Sequence, residues 1–208
     1  MNPVAQFFDE KALTWDDIHE SSGAKHEAVA HLAGVSPKAR VLDLGCGTGI
    51  MIPAYLALGA RSVVGIDVSP EMIARAQQKF ADDARVRLHC MNALEFTDDE
   101  PFDVAVVYNA YPHFMDKPAL VEKIANLLTP RGRFLVAHGM GAQALALHHR
   151  HVPANVTSVL GAARDECRLW ESRFIIDQTG DAEHFYFFGG RLAQRANRGE
   201  TLSENVRP

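Results

Sequence analysis

Two carboxylates and three glycines stand at the spacing of a ligand cradle. Residues 41–49 read Val-Leu-Asp-Leu-Gly-Cys-Gly-Thr-Gly, with Asp43 two residues before Gly45 and with Gly47 and Gly49 at alternate positions after it. Glycines let a chain turn tightly and bring backbone close to a ligand. The N–H groups of such a turn suit a carboxylate, and Asp43 suits a cationic group. A second acidic residue, Asp67, follows Gly45 by 22 residues and ends the apolar run 62–66. A carboxylate in that place can accept both hydroxyls of a ribose. The competing reading is the dinucleotide fingerprint G-x-G-x-x-G. Counted from Gly45 or Gly47, its third glycine falls on Ile50 or Ile52, so the close packing it permits is lost.

Histidines are the second chemical feature. The chain has 10 of them. His113 follows the apolar run 102–108, and His138 follows 133–137. An imidazole titrating near neutrality can deprotonate a hydroxyl, thiol or amine. The side chain of His138 is expected at the rim of a pocket, with a hydrogen-bonded structural imidazole as the alternative. His148, His149 and His151 close a predicted helix, where imidazoles suit the negative helix end. Joined to His138 or His113 they would form a metal site, but their spacing matches no firm zinc signature. No metal is therefore assigned.

These residues need elements to carry them. The pattern predicts helices over 23–34, 50–58, 70–80 and 143–148, and another starting at Asp116-Lys117-Pro118. That helix repeats Leu120, Val121, Ile124, Leu127 and Leu128, and Thr129–Gly132 ends it. Ser69-Pro70-Glu71 has an N-cap, a first-position proline and an acidic first turn. Strands are predicted over 40–44, 62–66, 86–91, 102–108 and 133–137. Two late strands, 174–176 and 185–188, pair as an antiparallel edge, and 152–161 is ambiguous. Alternating strands and helices imply a doubly wound, mostly parallel α/β sheet. Ligands bind such sheets at the carboxyl ends of the strands, where the residues above fall.

The set Asp43, Gly45, Gly47 and Gly49 resembles the first motif of class I S-adenosylmethionine (SAM)-dependent methyltransferases, and the resemblance covers roughly 40–138. It implies the seven-stranded Rossmann-like fold of that family and SAM as cofactor. Asp43, Gly45, Cys46, Gly47 and Gly49 would then cradle the methionine moiety. Asp67 would hold the ribose, Val68 would line the adenine and Met72 would cover its face. Asn92 stands where many relatives have Asp. Its carbonyl, with neighbouring Ala93, would meet the adenine. Asn109 and Ala110 would lie beside the sulfonium. Tyr111, His113 and Phe114 would face the methyl acceptor, with His138, His113 and Tyr111 as catalytic candidates. The stretch 7–16 resembles the leader of ubiquinone/menaquinone-type enzymes, in which it forms a lid; Phe7, Phe8 and Trp15 packed on the core is the alternative. The expected organisation is one methyltransferase domain over 1–190, with 1–34 as a helical lid region, and a polar tail over 191–208.

The chain has 208 residues, 47% hydrophobic and 23% charged, with net charge −5. That fits one soluble domain and disfavours a nucleic-acid backbone, which wants a basic face. No signal peptide or membrane-length apolar run is read. Three scattered cysteines argue against a disulfide framework and for a reducing cytoplasm. The expected reaction is methyl transfer from SAM to a small-molecule acceptor, by a chain that could form a homodimer and uses neither nucleic acid nor membrane. A catalytically inactive SAM-binding regulatory or assembly module is the alternative.

Overall fold

The computed structural model describes residues 2–19 and 23–194. Among them, seven strands form one sheet: β1 (Arg40–Leu44), β2 (Ser62–Asp67), β3 (Val86–Cys90), β4 (Phe102–Tyr108), β5 (Leu128–His138), β6 (Phe174–Ala182) and β7 (Phe185–Leu192). Their spatial order is β3-β2-β1-β4-β5-β7-β6. The first five run parallel, and β7 lies antiparallel between β5 and β6. The chain winds outward from β1 through β2 to β3, then returns to place β4 on the other side of β1. That reversal opens a crevice above β1 and β4.

Helices cover both faces. They are α1 (Pro3–Asp9), α2 (Trp15–His19), α3 (Gly23–Ala33), α4 (Ile52–Ala57), α5 (Pro70–Lys79), α6 (Lys117–Leu127), α7 (Ala142–His148) and α8 (Ala163–Trp170). Side chains alternate across a strand. Leu42, Leu44, Phe134 and Val136 enter a core layer shared with α6 and α8, while Val41, Leu135 and Ala137 enter the layer shared with α3 and α4. With both faces covered, β1 is buried along its whole length, which explains its unbroken apolar spelling apart from Arg40 and Asp43. Trp170 of α8 stacks on Phe134 with ring centroids 4.0 Å apart.

The caps follow the sequence. Ser69 accepts a hydrogen bond from the Met72 N–H at 3.1 Å to start α5, and Asp116 accepts from Ala119 at 2.9 Å to start α6. The doubly wound sheet and the antiparallel late pair are present as expected. Several details differ. Strand β5 begins at Leu128, so 128–132, expected as the end of a helix and its break, opens the strand, and β6 runs on to Ala182. Helix α8 was not anticipated, because 163–170 is rich in charge; its apolar positions Ala163, Cys167 and Trp170 recur at helical spacing and are buried. Segment 152–161 contains no helix or strand but a turn and extended loop. Strand β7 continues through Leu192, so order persists past the start of the expected polar tail; 195–208 lie outside the described residues. No helix among the described residues is long and apolar enough to cross a membrane.

Candidate active site

The glycine turn after β1 is the floor of the site. Gly45, Gly47 and Gly49 have φ of 72°, 54° and 79°, in the left-handed region that side chains disfavour. Their roles divide. A Cβ on Gly45 would lie 2.5 Å from the Cβ of Ala110, so the turn after β4 can approach only a glycine. A Cβ on Gly49 would lie 2.7 Å from the Phe80 ring and 2.9 Å from Ile52. Gly47 is different: a Cβ there meets nothing closer than Trp15 and Met72, at 3.7 and 3.8 Å. Its backbone faces open space.

That space is a cavity of about 510 Å³. Asp43, Gly45, Cys46, Gly47, Asp67, Val68, Met72, Asn92, Ala93, Asn109, Ala110 and His113 all line it. The elements that bring them together are the carboxyl ends of β1, β2, β3 and β4. Phe8 and Trp15, from the N-terminal helices, form a further wall. No lysine or arginine among the described residues lines it.

Asp67 is held across the glycine turn. One of its carboxylate oxygens accepts from the Gly47 N–H and the other from the Ser69 N–H, both at 2.9 Å. Each oxygen keeps a lone pair for a ligand hydroxyl. Asp43 is more isolated: it is buried, and its Oδ2 has no hydrogen-bond partner. Burial pushes its carboxyl up to about 8, and the nearby charge of Asp67 adds to the effect. Such a group is poised to receive a cation or donated hydrogen bonds from a ligand. Asn109 sits at φ 53°, a conformation asparagine tolerates, and its Oδ1 accepts from the Gly139 N–H at 2.9 Å. This bond ties the turn after β4 to the end of β5.

Three expected site residues lie elsewhere. Gly49 is absent from the cavity wall because its free side is filled by Phe80 and Ile52. Tyr111 is fully buried in the core, against Trp170 and Phe188, and the Trp170 indole N–H donates to its hydroxyl at 3.3 Å. Burial pushes that hydroxyl well up, which opposes a role as a base. His138 does not reach the rim. Two-residue periodicity puts it on the face of Phe134 and Val136, beside Tyr186, where it is 1% exposed. Neither ring nitrogen has a partner, and burial pushes its pKa down to about 3, with His113, His149 and Lys117 adding to the shift.

His113 takes the position expected of His138. It lines the cavity, and its ring meets Phe8 edge-on at 4.8 Å. Its Nδ1 lies 2.8 Å from the Val156 carbonyl. A carbonyl only accepts, so Nδ1 carries the proton and Nε2 is the basic nitrogen of the neutral ring. Burial holds its pKa below the usual histidine value, and the bond to Val156 partly offsets this. Among the described residues no three His, Cys, Asp or Glu side chains converge as a metal-ligand set.

Several wall residues escaped the sequence. Met51, Tyr108, Met115 and Asp116 follow the motifs so closely that proximity was a usable signal. Asn155 had none, since a loop of unassigned structure delivers it.

Residues 41–132 match the profile of a family described as "Methyltransferase domain". The chain is 30% identical over 167 residues to a ubiquinone biosynthesis O-methyltransferase of Aromatoleum aromaticum, covering 76% of this chain and 67% of that protein. It is 33% identical over 122 residues to a protein of the same name from Rhodopseudomonas palustris, covering 58% and 47%. The chain thus spans about half the length of several relatives it matches. Its backbone superposes on the N-methyltransferase NodS of Bradyrhizobium japonicum, solved with S-adenosyl-L-homocysteine, with a TM-score of 0.74. That match is 17% identical and covers 93% of this chain and all of the other, a likeness of fold. Kinship over two thirds of a relative, the sheet order and the placing of Asp43, Gly47 and Asp67 around one cavity together make this chain a member of the class I SAM-dependent methyltransferases.

Proposed function

We propose that the chain moves a methyl group from SAM to a small acceptor without negative charge, bearing an O–H, S–H or N–H. The observation that carries this is the joint cavity, which has the buried Asp43 and the partly buried Asp67 over the glycine turn at one side and His113 at the other. The residues fit the cofactor. The orphaned oxygen of Asp43 suits the ammonium end, the open side of Gly47 admits the methionine backbone, and Asp67 can take the ribose hydroxyls. Val68, Met72, Asn92 and Ala93 would border the adenine, and Asn109 and Ala110 the sulfonium. When bound, SAM supplies an electrophilic methyl on a cationic sulfur. The protein's part is to hold the acceptor in line, within a little over about 3 Å of that carbon. Nε2 of His113 would take the acceptor's proton.

The N-terminal helices would act as a lid. Asp16 accepts from the Thr48 hydroxyl at 2.5 Å and pairs with Lys79 at 2.9 Å, and Asp9 accepts from the Ser69 hydroxyl at 2.5 Å. Both carboxylates thus fasten the leader to the segments that follow β1 and β2. Closure there would keep water from the reaction. An acceptor without negative charge fits a wall that has aspartates but no lysine or arginine among the described residues, and a cytoplasmic setting fits the free Cys46, Cys90 and Cys167.

Calorimetric titration tests the cofactor, and S-adenosylhomocysteine production in a screen of phenols, thiols and small amines tests the reaction. Binding of SAM and its product without comparable affinity for NAD is expected. Tight NAD binding without SAM binding would overturn the reading.

A further inference from the structure

Methyl transfer to an O–H, S–H or N–H acceptor leaves a proton that must reach solvent. We propose that His113, His149 and His148 form the path by which it leaves, an inference that rests on the methyltransferase reading above. Three imidazoles stand in a row of rising exposure. His113 is a partly buried wall of the cavity, His149 is partly buried behind it, and His148 is exposed at the end of α7. The ring centroids are 5.3 Å apart from His113 to His149 and 5.6 Å from His149 to His148.

One loop orients the first two rings. The Val156 carbonyl occupies Nδ1 of His113, and the Thr157 hydroxyl lies 3.1 Å from Nδ1 of His149. The same loop is pinned to the segment bearing His113, since the N–H and hydroxyl of Ser158 both donate to the Pro112 carbonyl, at 2.8 and 3.0 Å. The bond to Val156 makes an outlet necessary. A carbonyl cannot take a proton away, so the charge that His113 gains at Nε2 must leave toward another base.

The surroundings favour passing the proton on. His138 of β5 lies buried nearby, Lys117 of α6 pairs with Glu166 at 3.0 Å and acts on His138, and Asp116 is the acidic residue on the adjoining stretch of wall. Beyond His149, Arg150 donates to Nε2 of His151 at 2.9 Å. Burial, followed by His113 and His148, pushes the pKa of His149 down to about 4, so a proton does not rest there. The balance is complete. The acceptor's heteroatom bonds to the methyl carbon while the carbon–sulfur pair goes to sulfur. The acceptor's proton goes to Nε2 of His113, then across a bridging water to His149, then to His148 or water, and all three rings end neutral.

The experiment uses the full chain with isotope-labelled histidine and needs no acceptor. Nitrogen-detected spectra report the tautomer of His113, and relaxation dispersion between about pH 5 and 7 reports how fast it gains and loses its proton. The expected result is an Nδ1–H tautomer whose exchange slows several-fold in His149→Phe and in the smaller His149→Gln, and recovers on adding free imidazole. A structural role for His149 would not be rescued by a diffusible base. An Nε2–H tautomer, or exchange unchanged in both variants, would overturn the path. Calorimetry with S-adenosylhomocysteine on the same samples separates the two readings. Normal binding with unchanged exchange condemns the path alone, whereas no binding by the parent chain condemns the methyltransferase reading.

Discussion

Asp43 and Gly47 are the residues on which the proposed cofactor recognition turns, and each has a separable signature. Charged Asp43 is strained in the free protein, because one of its oxygens is buried without a partner. Asp43→Asn should therefore leave the free fold as stable or more so, while weakening SAM by about 1–3 kcal/mol through loss of a charge-assisted contact. Thermal melts and calorimetry read the two effects independently, and parallel losses in both would refute this account. The glycines form a matched pair. Gly45→Ala meets Ala110 and should destabilise the fold itself. Gly47→Ala has room in the free protein, so its cost there is backbone strain alone, of about 1–2 kcal/mol. Cofactor binding should suffer much more. Equal melting temperatures for the two variants would show that the turn is not packed as described.

Two acidic residues attach the leader to the core, and the attachment is an element-scale property. Lys79 and Asp16 are each substantially exposed, so their ion pair alone contributes little, within about 1 kcal/mol. The hydrogen bonds from Thr48 and Ser69 reach inward, to hydroxyls that are buried. Asp16→Ala with Asp9→Ala should leave global stability nearly unchanged, speed dissociation of S-adenosylhomocysteine and raise amide exchange across 2–19. Stopped-flow release and hydrogen-exchange mass spectrometry measure both. Unchanged release with faster amide exchange would mean that the leader is packing and not a lid. Helix α8 shows the opposite balance. It carries two acidic and two basic residues, yet Trp170 is fully buried on Phe134, so core contacts decide its place.

Stability of the whole molecule should depend on pH with a maximum near neutrality, and the signs follow from the buried groups. His138 and His149 have folded pKa values depressed to about 3 and about 4. The unfolded chain binds their protons first, near pH ~6.5, so stability falls as pH drops below that value. Asp43 acts in reverse. Its folded pKa, about 8, lies above its unfolded value, so the native state holds that proton longer and stability declines as pH rises from ~4 to ~8. Asp67 shifts in the same direction through burial. Between ~4 and ~6.5 the two histidines outweigh Asp43; above ~6.5 the carboxylates act alone. Denaturant titrations should thus show an alkaline decline that Asp43→Asn makes shallower and that saturating S-adenosylhomocysteine flattens. An alkaline limb undiminished in Asp43→Asn would assign the decline to other groups.

The strands, the caps and the glycine turn at the cavity floor were legible because each depends on contiguous residues. A glycine's left-handed φ, a serine cap and a β-branched run are local properties, and Asp43, Gly47 and Asp67 inherit their places from them. Which histidine lines the cavity was not local. His113 and His138 both follow strands, and the sequence treats them alike. The fold separates them: β5 carries His138 on the side of Phe134 and Val136, where the packing of β7 and Tyr186 covers it. A loop without regular structure turns His113 to the cavity through Val156 and brings Asn155 with it. Strand parity and loop docking are set by long-range pairing, so only the tertiary structure decided that His113 and not His138 lines the cavity.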